Sequence, residues 1–197
     1  YTALSAGYDL GGACFHGNNK TDFDIGYALD SGVGFFVVDN LDELDRIDEI
    51  AGEKGRMPKI ILRLSPGIDP HTHAKISTGS VDSKFGTAIE TGQAEELTAY
   101  ALTLKSIQLD GLHCHIGSQI FDIEPFTDGA RIMISYISHL KRKYAFNTKI
   151  LNLGGGFGVR YIASQPVIDV EDFISRIASF IDKEVNETGI VRPTVLM

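Results

Sequence analysis

An apolar run ends in Gly111-Leu-His-Cys-His-Ile-Gly-Ser-Gln119, which sets two imidazoles one residue apart. Side chains alternate across an extended strand, so His113 and His115 share one face and Cys114 takes the other. A His-x-His pair of this kind ligates metal in barrel hydrolases when further His or Asp ligands stand at neighbouring strand ends, and Asp39 is placed to serve. The plainer alternative is two histidines satisfied by local hydrogen bonds, with Gly117-Ser118 beginning a turn. His16, His71, His73 and His139 form no obvious further set.

A second apolar run ends in Leu151-Asn-Leu-Gly-Gly-Gly-Phe-Gly158. Consecutive glycines let a backbone approach a ligand closely and turn its N–H groups toward it, which suits a phosphate. The segment lacks the Lys and Ser/Thr of a P-loop and does not keep the dinucleotide-binding spacing. A tight turn at a barrel rim would use the same glycines. Ser118 and Gly154, Gly155 and Gly156 close two successive strands separated by one helix, so a hydroxyl and a row of amides converge on one anion. A long polar connection, 65–86, follows Arg63 and contains His71, His73 and Lys84. Loops of that length are often functional, although a solvated surface loop is the ordinary case. Phe15-His-Gly-Asn-Asn-Lys20 ends an early strand in common turn residues.

The elements that must position these residues are legible as short runs rich in β-branched and aromatic side chains at 13–16, 35–38, 59–64, 109–116, 150–153 and 194–197. Helical spacing lies between them. It is clearest in Ile174, Ile177, Ala178, Ile181 and Val185, with Asp169 and Asp172 at the start, and recurs in Met133, Ile137, Leu140 and Tyr144 and in Ala94, Leu97, Ala101 and Leu104. Two more helices are predicted around 22–29 and 41–50. Strand and helix in alternation predict a parallel sheet covered by helices. About six strand-helix units stand where a closed barrel needs about eight, so the expected fold is α/β, a partial (β/α)8 TIM barrel. An open piece would leave two unpaired edges. With no initiating Met at Tyr1 and an end at Met197 inside an apolar run, the chain is expected to be part of something longer.

The 197 residues, 43% of them hydrophobic, suffice for one core, and the net charge of -8 argues against a nucleic-acid partner. No run of about eighteen apolar residues predicts a membrane span, and no signal peptide opens the chain. Cys14 and Cys114 offer no disulfide framework, which predicts a reducing, cytoplasmic location.

Four segments in order, FHGNNK at 15–20, HTHAKISTG with DSKFG between 71 and 86, GLHCHIGSQI at 111–120 and LNLGGGFG at 151–158, resemble the diaminopimelate decarboxylases. These are enzymes dependent on pyridoxal 5'-phosphate whose barrel is that of alanine racemase and ornithine decarboxylase. The resemblance implies that residues 1–197 form the cofactor-binding barrel domain. It makes His115 the catalytic residue that stacks on the cofactor ring, and Ser118, Gly154, Gly155 and Gly156 the phosphate ligands, Gly156 foremost. Arg63 and Lys84 stand near the site. It further implies a homodimer and decarboxylation of meso-2,6-diaminopimelate to L-lysine, the last step of lysine biosynthesis. The Schiff-base lysine would precede Tyr1, and the Glu-Pro-Gly-Arg segment and a C-terminal β domain would follow Met197, so these residues alone are expected to be inactive. Other readings are a non-catalytic barrel that binds the same cofactor, a decarboxylase of another basic amino acid, and the metal-dependent hydrolase.

Overall fold

Three of the helices begin at a side chain that caps them, whereas two others start at Gly92 and Ile123 without one. Thr21 opens α2 (Asp22–Asp30) with a capping box: its hydroxyl accepts from the Asp24 N–H and the Asp24 carboxylate accepts from the Thr21 N–H. Asn40 caps α3 (Leu41–Glu53) through the Glu43 N–H, and Asp169 caps α6 (Val170–Thr188) through the Asp172 N–H. Helix α6 stops at Gly189, whose left-handed φ of 67° suits the glycine there. The other helices are α1 (Thr2–Ser5), α4 (Gln93–Ala101) and α5 (Glu124–Tyr144). The computed structural model describes residues 1–68 and 85–197. His71, His73 and Lys84 lie outside the described residues.

The strands are β1 (Cys14–Phe15), β2 (Phe35–Val38), β3 (Lys59–Ser65), β4 (Thr87–Ala88), β5 (Gln108–His113), β6 (Ile150–Asn152) and β7 (Thr194–Leu196). They pair in parallel in the order β1-β2-β3-β5-β6-β7, with β4 attached to the end of β3. The result is a curled, open parallel sheet backed by helices, the partial (β/α)8 barrel that the alternation predicts. Among the described residues no helix is long and apolar enough to cross a membrane.

Alternation along each strand divides the sheet into two faces. Phe36, Val38, Ile60, Leu62, Leu64, Leu112, Cys114, Leu151 and Leu153 pack under the helices in the main core. Val37, Ile61 and Ile150, with Cys14, Phe35 and Leu196, form a second cluster on the inner face. A bulge keeps β5 in step. Its register against β3 jumps from Ile60–Leu109 to Ile61–Gly111, passing over Asp110, so that Leu109 and Leu112 both face the helices. Gly111 and His113 are thereby left on the inner face, and a Cβ at Gly111 would stand 2.5 Å from the Ile150 carbonyl oxygen.

One step further along each strand the inner face turns polar: Arg63, His113 and Asn152 share a row of the ladder, and Asp39 follows the end of β2. That end of the sheet is fastened by a buried ion pair. Lys20 pairs with Glu43 and donates to the carbonyls of Gly17 and Val37, and the second Glu43 oxygen accepts from the Asp39 N–H at 2.9 Å. The two side chains are 1% and 6% exposed. Removing one partner of such a pair strands the other, so Lys20→Met is expected to cost about 3–5 kcal/mol in denaturant unfolding. Lys20→Met combined with Glu43→Leu is expected to recover most of that loss.

Candidate functional site

The two histidines of the His-x-His pair do different work, because β5 ends between them. His113 is 3% exposed, and its Nδ1 lies 3.1 Å from the Asn152 carbonyl. A carbonyl only accepts, so Nδ1 carries the proton and Nε2 is left as an acceptor. His16 packs edge-on against this ring, with centroids 5.0 Å apart. No spacing or motif in the sequence links these two residues, ninety-seven positions apart. Burial, and then the neighbouring His16, push the His113 pKa down to about 4. Burial followed by Arg63 lowers the pKa values of both His16 and His115.

Arg63 anchors this polar floor, 3.6 Å from Asp39 and stacked at 4.8 Å over the Phe85 ring. Asp39 Oδ2 is buried with no hydrogen-bond partner among the described residues. Cys114, on the opposite face, is buried in the main core with its thiol pushed up to about 12 by desolvation, which makes it an inert packing residue. Among the described residues no three His, Cys, Asp or Glu side chains gather as a metal site.

His115 is exposed and lies against the glycine run. A Cβ on Gly154 would stand 3.0 Å from His115 Nδ1, and one on Gly156 would stand 3.5 Å from His115 Cε1. The ring thus lies tightly against Gly154 and in ordinary contact with Gly156. Its lowered pKa keeps it neutral near pH 7, and a flat neutral imidazole can lie face to face on an aromatic ring.

The segments leaving β5 and β6 stay bonded beyond the ladder. The Cys114 N–H donates to the Asn152 carbonyl (2.9 Å), the Ile120 N–H to the Gly156 carbonyl (3.0 Å) and the Gly158 N–H to the Ile120 carbonyl (2.8 Å). Gln119 adds two bonds to Val159. So close an approach excludes side chains: at Gly156, with φ +104°, a Cβ would fall 2.0 Å from the Gly117 carbonyl oxygen, and at Gly154 one would fall 2.9 Å from that of Cys114. Gly155 is different, with nothing within 4 Å of its Cβ position.

The amides divide in the same way. The Gly154 N–H is already donated to Asn152 Oδ1 at 2.8 Å, so Gly154 contributes shape. The amides of Gly155 and Gly156 and the exposed Ser118 hydroxyl carry no hydrogen bond among the described residues. Unspent N–H donors beside an open position and a hydroxyl suit the oxygens of a phosphate. Asn152, Gly117 and Gln119 were not singled out from the sequence as site residues. All three stand inside the two motifs, but the role of Gln119 depends on a contact forty positions away.

Because the folded protein holds His113 well below the ordinary histidine pKa of 6.5, the unfolded chain binds the extra proton. Stability is therefore expected to be full above about pH 6.5 and to fall as the pH drops toward 4, by no more than about 3 kcal/mol from this residue. His113→Gln keeps a donor for the Asn152 carbonyl, and its thermal denaturation is expected to lose less between pH 7.5 and pH 5 than that of the unsubstituted protein.

A family model described as the pyridoxal-binding domain of pyridoxal-dependent decarboxylases matches residues 1–197. Diaminopimelate decarboxylase of Bacillus methanolicus is 42% identical over 195 residues, which is 99% of this chain and 45% of that protein. The Staphylococcus aureus enzyme of the same name is 39% identical with the same coverage. A crystal structure of diaminopimelate decarboxylase from M. jannaschii superposes on the whole of this chain and 44% of its own with a TM-score of 0.90 and 32% identity. The chain spans about half the length of the curated relatives it matches. Its residues 1–197 belong to the pyridoxal-binding domain family of the pyridoxal-dependent decarboxylases, and the cofactor is pyridoxal phosphate.

Proposed function

We propose that the protein carrying this chain converts meso-2,6-diaminopimelate to L-lysine, the last step of lysine biosynthesis, as a cytoplasmic homodimer in which residues 1–197 are the cofactor-binding barrel domain. The observation that carries this reading is the identity of 39–42%, along 99% of the chain, to proteins named diaminopimelate decarboxylase. A structure of the M. jannaschii protein in co-complex with L-lysine, similar to this chain with a TM-score of 0.89, supports the same substrate class.

Bound pyridoxal phosphate supplies an electron sink for the pair left on the substrate carbon when carbon dioxide departs. The described residues provide position. Ser118 Oγ and the Gly155 and Gly156 amides donate to the phosphate, and Gly154 leaves room for His115 to lie along the ring. His115 is neutral near pH 7, so it stacks without adding charge against the face it covers. Arg63, beside Asp39, brings a fixed positive charge to the same end of the sheet. A group held at its phosphate and over its ring cannot swing freely, and holding reacting groups in place is worth several kcal/mol of barrier in general.

The test is an absorbance titration of the whole protein with pyridoxal phosphate, followed by an assay for L-lysine released from meso-diaminopimelate. His115→Ala removes the stacking ring, and Gly155→Ala adds a methyl where the fold has room for one but the phosphate would be crowded. Each is expected to weaken cofactor binding by about tenfold, the scale of one aromatic stack or one good hydrogen bond. Cofactor affinity unchanged in both variants would overturn the site. Cofactor binding with release of a different amine in place of lysine would overturn the substrate.

A further inference from the structure

We infer that Gln119 is a positioning residue of the phosphate cradle, locking Ser118 in register with the glycine amides through its left-handed backbone and its side-chain amide. The inference rests on the reading that Ser118, Gly155 and Gly156 hold the phosphate.

Gln119 has φ 58°, and Ala145 is the other non-glycine residue with a positive φ among the described residues. Ala145 terminates α5, where a left-handed residue is ordinary. Gln119 terminates no helix, so its conformation must be held by contacts, and an observed backbone outlier beside a binding loop points to function. The contacts are specific. Gln119 Nε2 donates to the Val159 carbonyl at 3.0 Å, and Gln119 Oε1 accepts from the Val159 N–H at 2.9 Å. One primary amide thus pairs with both polar groups of a single residue, as a neighbouring strand would. Glutamate cannot donate the first bond, lysine cannot accept the second, and asparagine is one methylene shorter.

The clamp extends the rungs formed by Ile120 with Gly156 and Gly158, and the isolated bridge between Ile120 and Phe157. Ser118 is therefore fixed from both sides. Gly117 before it abuts Gly156, and Gln119 after it is tied to Val159. Without the clamp, the segment bearing Ser118 could turn relative to the amides of Gly155 and Gly156 while Ile120 stayed in place.

Two variants separate the amide from the backbone. Gln119→Gly accepts the positive φ and removes the clamp. Gln119→Met keeps the side-chain length and the backbone demand and removes the same two bonds. Binding of pyridoxal phosphate and of pyridoxal, which has no phosphate, is measured on the whole protein, with Gly155→Ala alongside. Both variants are expected to weaken pyridoxal phosphate by about tenfold, the net scale of one or two hydrogen bonds, to leave pyridoxal within about twofold, and to lower the melting temperature by no more than about 5 °C. Normal affinity for the phosphate form in Gln119→Gly, while Gly155→Ala loses it, would overturn the role of Gln119 and leave the cradle standing. Equal losses for both ligands would mark Gln119 as a structural residue and overturn the inference. If Gly155→Ala also fails to distinguish the two ligands, the cradle itself is wrong and the inference falls with it.

Discussion

Neighbouring strands of a parallel sheet ordinarily part at their ends, each chain turning away into its own helix. The segments leaving β5 and β6 remain bonded from Cys114 to Gly158, and this joint governs the rest of the site. It exists because Gly154 and Gly156 present no side chain where the carbonyls of Cys114 and Gly117 arrive. A Cβ at 156 would lie well inside a carbonyl oxygen, so the approach and any larger residue exclude each other. The placement of His115 over the run, the position of Ser118 and the unspent amides of Gly155 and Gly156 all follow from that contact.

The joint sits at the polar end of the inner face because of register. The bulge at Asp110 corrects the phase of β5, so that Leu109 and Leu112 feed the core under the helices while His113 joins Arg63 and Asn152 inside. Arg63 acts on the three histidines together, lowering the pKa of each alongside burial. The floor therefore holds the Arg63–Asp39 ion pair with uncharged imidazoles around it. The Lys20–Glu43 pair fixes the backbone of Asp39, which in turn faces Arg63.

Much of this was legible in the sequence. Runs such as Phe35–Val38 and Ile150–Asn152 carry β-branched and aromatic residues, and the helices after them begin at side chains that cap. Both are local signals, and local chemistry decides them. Alternation placed His113 and His115 on one face as equals, whereas β5 stops at His113 and leaves one ring buried and the other exposed. Nothing within the segment announces that stop, because it depends on how far β3 and β6 stay paired with β5. The edge contact of His16 with His113, the capture of the Gly154 amide by Asn152 and the clamp from Gln119 to Val159 are likewise products of pairing between distant segments. The glycine run pointed to a phosphate as a group, but only the folded backbone separates the two glycines that make room from the one that stands open. The resemblance to diaminopimelate decarboxylases drew on four segments, and the one between 71 and 86 lies almost wholly outside the described residues.

On the proposed reading, one phosphate is held where the two joined segments meet. A crystal structure of the whole protein with pyridoxal phosphate bound tests it most directly. Phosphate oxygens are expected within hydrogen-bond distance, about 2.7–3.2 Å, of Ser118 Oγ and of the Gly155 and Gly156 amides, with His115 parallel to the ring. A phosphate seated elsewhere on the polar floor, with those donors turned to water, would contradict it.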